Sequence, residues 1–231
     1  MQNSAKVLAI WRKVLGVMLG LFVLGAIGGI VSATENISPT YIDPGSGGGT
    51  VVYLGTDQKL TYAEYGESGV EDHNGVFHIN ENQYYLGSSQ KVSTWIETAG
   101  YGYVITYVAV GEKFDIGGTG SAYAAIEVPI RINGWIDVGL GDASYKVDIC
   151  IRDLTTGALT CFNVYGQEFH QTGNKLVDKQ ILYRTPAYIF KSGHRYVVYV
   201  KLTSKVYSNG GFSATSLSLD VKYDYIYIDF A

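Results

Sequence analysis

Two cysteines, Cys150 and Cys161, are the residues of this 231-residue chain whose type and spacing point most directly to chemistry. Between them lies Leu154-Thr155-Thr156-Gly157, which reads as a turn joining strands over Tyr145–Arg152 and Leu159–Tyr165. A hairpin centred on Thr155-Thr156 brings opposite each other residues equidistant from it, and Cys150 and Cys161 are such a pair. A bulge at Gly157 shifts this by one residue and still leaves the sulfurs within disulfide reach. A disulfide is therefore the chemistry expected here, in an oxidising compartment. Two buried thiols or half a metal site are the competing readings, and a redox Cys-x-x-Cys is absent.

Hard-oxygen and imidazole groups crowd together once, in Glu71-Asp72-His73-Asn74-Gly75-Val76-Phe77-His78. The spacing matches no helical zinc motif, and zinc needs three or four converging ligands, so a solvated polar loop leading into a strand is the plainer reading. Glu64, Glu67, Glu71 and Asp72 offer oxygens for a weak calcium site of the extracellular kind, without the EF-hand pattern. Calcium is the one cofactor the sequence suggests. His194, in Ser-Gly-His-Arg-Tyr, reads as a surface residue opening a strand. No serine stands in a Gly-x-Ser-x-Gly elbow, which removes that hydrolase class alone. A carboxylate pair for glycoside cleavage is not readable from 21 acids, and no catalytic residue is assigned. Trp95 and Trp135 offer a stacking platform for a sugar, but their apolar neighbours make core the first reading.

The elements that position these residues are strands. Short runs rich in Val, Ile, Thr and Tyr recur from Val51 onward, bounded by Gly, Asn, Asp and Ser. They include Val76–Ile79, Gln83–Leu86, Val92–Thr98, Tyr103–Val110 and Leu176–Tyr183. Asn133-Gly134 between Tyr123–Ile132 and Trp135–Leu140 is a strong hairpin signal. Pro129 places the first of that pair at an edge or a bulge. Ser208-Asn209-Gly210-Gly211 separates Tyr196–Tyr207 from Phe212–Phe230. In the last strand Leu217, Leu219, Val221, Tyr223 and Tyr225 alternate with Ser216, Ser218, Asp220, Lys222 and Asp224, a period of two with one dry face. About a dozen antiparallel strands in residues 51–231 predict an all-β, jelly-roll-like β-sandwich.

Ahead of it stands Val14–Val31, an uncharged apolar run after Arg12 and Lys13 and before Val31-Ser32-Ala33. It predicts one N-terminal hydrophobic helix within residues 1–33, either a cleaved signal peptide or a retained membrane anchor. Either way Thr34 onward faces outside. Residues 34–50 read as a Gly-rich linker or donor strand, carrying Asn36 in the sequon Asn36-Ile37-Ser38 as a glycosylation candidate.

Composition narrows the function. Of 17 Lys and Arg, three lie in the first 33 residues with none of the 21 acids, so the remainder carries a formal charge of −7. A mildly acidic domain with dispersed bases argues against nucleic acid as a partner. Low charge, all 20 tyrosines beyond residue 40 and no catalytic motif favour a non-catalytic exported protein. The first expectation is a self-associating subunit of a surface assembly (filament, sheath, surface layer or virion) joined by β-strand addition. The alternative is an extracellular binding module or adhesin recognising carbohydrate or another surface. A secreted hydrolase comes third.

Overall fold

The computed structural model describes residues 49–230, so the expected helix, Asn36 and residues 34–48 lie outside the described residues. Among the described residues there are eleven β-strands and no helix. Three strands are unusually long and lie side by side: β3 (Tyr65–Tyr85), β4 (Lys91–Gly117) and β10 (Arg195–Tyr223), with β4 in the middle. The sequence breaks them into shorter pieces at their glycines. In the folded chain those glycines bend the strands instead, because all three meet at one level, with Gly75 opposite Gly102 and Gly210 opposite Gly100. A Cβ on Gly102 would stand 2.4 Å from the Asn74 carbonyl oxygen, so backbone approaches backbone there and only glycine fits.

The bend divides one continuous sheet into two layers. On the 102–117 side of β4, β10 is followed by β6 (Gly141–Asp153) and β7 (Leu159–Phe169). On the 91–99 side, β10 is followed by β5 (Ser121–Val138) and β8 (Gly173–Arg184). Shorter strands close the ends. β9 (Tyr188–Lys191) and β11 (Ile226–Phe230) pair with the start of β5, and β2 (Gln58–Leu60) pairs with β11. β1 (Thr50–Tyr53) runs parallel to the end of β4, the one departure from the antiparallel expectation among the described pairs.

Side-chain phase shows that the layers face each other. Even-numbered residues of β4 are buried on both sides of the bend, Val92 and Ile96 before it and Val104 and Val108 after it. In β10 the buried set changes from even (Val200, Leu202, Val206) to odd (Leu217, Leu219, Val221). Gly211, Phe212 and Ser213 have no register partner on β4, and three extra residues invert a period of two, which keeps the same face inward. Both layers then supply one continuous buried cluster. Phe114 and Tyr196 of the first layer meet Phe190 of β9 at ring distances of 5.9 and 4.9 Å. The result is a β-sandwich made by folding long strands over. The expected jelly roll would join two separate sheets by loops; here three strands cross between the layers.

Two turn expectations give way to continuous strands: Ser208-Asn209-Gly210-Gly211 lies inside β10, and Asn133-Gly134 lies inside β5. β5 passes straight through Asn133-Gly134, since it has β10 on one edge and β8 on the other. Ladder pairing on both edges outweighs the local preference of Asn-Gly for a turn. Pro129 pairs with Leu182 of β8 and, on its other side, falls between the residues paired with β11 and those paired with β10. Its missing N–H therefore meets a gap in the ladder inside the sheet.

The β6–β7 hairpin is as expected. Cys150 pairs directly with Cys161, their Cα atoms are 4.1 Å apart, and a disulfide joins them. Asp153 shapes the turn by accepting hydrogen bonds from the backbone N–H groups of Thr155 and Thr156, at 2.9 and 3.2 Å. Replacing both cysteines with alanine should lower stability by about 2–3 kcal/mol, the value for closing so short a loop. Denaturant titration with and without reductant checks this, and identical midpoints would contradict it.

One buried carboxyl among the described residues has neutral hydrogen-bond donors in place of a cation. Glu112 is 4% exposed, and its carboxylate accepts from Gln90 Nε2 at 2.8 Å and from the Tyr62 backbone N–H at 3.1 Å, both neutral donors. Burial pushes this carboxyl up to about 7, against the lowering effect of those hydrogen bonds. The buried Tyr223 hydroxyl is raised by burial and by the adjoining carboxylate.

Candidate functional site

Outward-facing positions of the second layer hold the two tryptophans. Inward residues of β4 here are even-numbered, so Trp95 points to the outer face, as does Trp135 on β5 between the inward Gly134 and Ile136. Both are only partly buried, which corrects their reading as core. The hydropathy of their neighbours misleads because in a two-layer fold the flanking apolar residues occupy the opposite face.

Register brings the pair together. Ser218 of β10 pairs with Trp95 on one side and with Trp135 on the other, so both indoles stand in one cross-strand row with a small residue between them. Two interstrand steps set them about 9–10 Å apart. Glu81 of β3 and Leu176 of β8 continue the row, the latter 87% exposed. The Trp95 indole nitrogen is buried while the residue as a whole is partly exposed. The adjoining rows are polar: Glu97, Ser216 and Asp137 on one side, and Ser93, Asp220 and Asn133 on the other. Lys91 and Arg131 lie one row further off, held by Asp220 at 2.9 Å and Asp224 at 3.5 Å. This is a sheet face with two aromatic contacts amid carboxylates and amides. It can stack flat apolar faces and accept hydrogen bonds around them.

The calcium set is not assembled. Glu67 accepts hydrogen bonds from the Tyr65 and Tyr107 hydroxyls, the latter at 3.0 Å. Glu71 is paired with Lys201 at 2.9 Å, and Asp72 accepts from the Tyr103 hydroxyl at 2.8 Å. Each carboxylate is occupied by its own donor, and Glu64 joins none of these contacts. Among the described residues no three His, Cys, Asp or Glu are placed to hold a metal ion. The same stretch is the interior of β3, not the expected polar loop, with His73 and His78 bringing their rings to 4.8 Å across the bend. Burial and the neighbouring imidazole hold His78 below its ordinary range.

The other two histidines have carboxylate partners. His194 is bound through Nδ1 to Asp153 at 2.7 Å, tying the β9–β10 turn to the β6–β7 hairpin rather than standing free on the surface. Burial would raise the Asp153 carboxyl, but the hydrogen bonds from His194, Thr155 and Thr156 together hold it below the usual range. His170, which no sequence motif singles out, lies in a shallow groove of about 330 Å³ lined by Asp142, Ser144, Glu168, Lys205 and Tyr207. Its Nδ1 is 2.7 Å from Asp142 and its Nε2 is 3.4 Å from Glu168, and the Asp142 hydrogen bond raises its pKa. The carboxylates sit at different nitrogens of one ring, which occupies the space a substrate or water would need between them.

No family model matches the chain, and no curated protein matches it. Among solved structures it is similar to the enzymatically active domain of tailspike protein 4 of bacteriophage CBA120, at 12% identity over 71% of this chain and 19% of that one, with a TM-score of 0.28. It is also similar to one of the carbohydrate-binding modules of the β-sandwich super family, at 10% identity over 68% of this chain and 56% of that one, with a TM-score of 0.30. The chain thus spans about a fifth of the first structure and just over half of the second. These likenesses carry no functional argument, and the sandwich rests on the chain's own packing.

Proposed function

We propose that this protein is a non-catalytic, extracellular carbohydrate-binding module whose contact surface is the outer face of β3, β4, β10, β5 and β8 around Trp95 and Trp135. The observation that carries the reading is that two tryptophans distant in sequence are placed in one outward-facing row, each partly open to solvent, with only Ser218 between them. Core packing does not require them, since the inward positions of the same strands already fill the interior. Large aromatic side chains left at a solvent face amid polar groups mark a recognition surface. The Cys150–Cys161 disulfide supports an oxidising location. Surface assembly by strand addition takes second place, because β1, the described strand nearest the donor segment, pairs with β4 of its own chain.

A glycan array probed with the protein tests the reading. Binding to a defined set of glycans is expected, with loss of at least about tenfold in affinity for Trp95→Ala and for Trp135→Ala, as for buried aromatic anchors in other interfaces. Circular dichroism should show both variants folded, since neither side chain is in the core. Unchanged binding by both variants would remove this surface from consideration.

A further inference from the structure

Resting on that reading, we infer that the ligand is an uncharged, extended, β-linked polysaccharide lying across the strands, with alternate sugar rings on Trp95 and Trp135. The direction follows from the row. Both indoles pair with the same residue of the intervening strand, so the line joining them is perpendicular to β4, β10 and β5. A ligand that meets both must run along that line and stay straight over about 9–10 Å. In an extended β-linked chain successive rings turn over, and every second ring presents the same face, which matches two stacking points separated by a gap. Ser218 and, in the next row, Ser216 keep the floor of that gap low. A coiled α-linked chain curves away from a flat row and reaches one indole at a time.

The charge follows from the adjoining rows. Glu81 in the tryptophan row and Glu97 and Asp137 on one flank bring carboxylates to within one row of the indoles, while Asp220 on the other flank is paired with Lys91. The bases Lys91, Lys222 and Arg131 share a row two steps from the indoles, farther than these carboxylates, and Lys91 and Arg131 are paired with acids. Carboxylates accept hydrogen bonds from sugar hydroxyls and repel uronates and sulfates, so an acidic polysaccharide is disfavoured at each ring.

Calorimetric titration of the protein with three soluble ligands tests this: a neutral β-1,4-linked glucose hexasaccharide, an α-1,4-linked glucose hexasaccharide and an oligogalacturonate of similar length. The β-linked neutral chain should bind at least about tenfold tighter than either of the others. Ser218→Tyr, which fills the gap between the indoles, should abolish that preference without unfolding the sheet, because position 218 faces outward. Equal or tighter binding of the α-linked chain or the oligogalacturonate, with Trp95→Ala still weakening it, would overturn the ligand class and leave the carbohydrate-binding reading standing. Binding of none of the three at millimolar concentration, together with an empty glycan array, would overturn both.

Discussion

Glu112→Gln is expected to stabilise the protein at alkaline pH and to flatten its pH dependence near neutrality. The carboxyl sits at about 7 in the folded chain because burial disfavours its charge, against an ordinary value near 4.3 in an unfolded one. The folded state therefore binds the proton more tightly. Between those two values the native form holds more protons than the unfolded form, so stability falls as pH rises through this window and levels off above it. A gap of this size corresponds to about 3 kcal/mol lost by the wild type between pH 4 and pH 8 from this one group. Glutamine cannot ionise, and it retains an acceptor for the Gln90 amide or the Tyr62 N–H. Urea titrations at pH 4.5 and pH 8.5 should show near-equal stability of the two proteins in acid. At pH 8.5 the variant should be ahead by up to about 3 kcal/mol, less whatever the altered hydrogen bond removes. Parallel pH profiles for the two proteins would contradict the assignment.

Gly134→Ala should destabilise by at least about 3 kcal/mol, the upper range for overpacking in an unyielding site. A Cβ built there stands 2.0 Å from the Ser218 carbonyl oxygen and 2.9 Å from the Leu219 Cα, and the glycine has φ of +154°. Neither contact is the end of a flexible side chain, so β5 and β10 must separate or shear to admit a methyl group. Gly157 in the β6–β7 turn is the comparison: its φ is +79°, and an added Cβ meets nothing within 4 Å. Gly157→Ala should lose only about 1 kcal/mol, the conformational penalty for a left-handed residue. Thermal denaturation of both variants separates the cases. Equal, small losses would mean that residues 133–134 form the hairpin turn their sequence resembles.

That contrast shows how far the sequence could be read. Asn133-Gly134 and Leu154-Thr155-Thr156-Gly157 both look like turns, and only the second is one. The difference lies in neighbours distant along the chain: β5 has a strand ladder on each edge at Asn133, whereas residues 154–157 pair in no ladder. The same holds for Gly100, Gly102 and Gly210, which punctuate the sequence but bend continuous strands. Carboxylates show the reverse error. Glu67, Glu71 and Asp72 look like a ligand set by proximity in sequence, yet Tyr107, Lys201 and Tyr103 reach them from neighbouring strands.

What the sequence determined by itself was local or periodic. The alternation in Leu217–Tyr223 specified strand and inner face, and the symmetric placement of Cys150 and Cys161 about a short turn specified their pairing, because a hairpin's register is set by its own loop. The tertiary structure alone decided which strands continue through their glycines, how the sheet folds into two layers, and that Trp95 and Trp135 share a row across Ser218. The physical reason is that this last relation depends on the register of β10 with two strands at once. That register is set by long-range ladder pairing and by the three-residue bulge at 211–213, neither of which leaves a periodic trace in the chain.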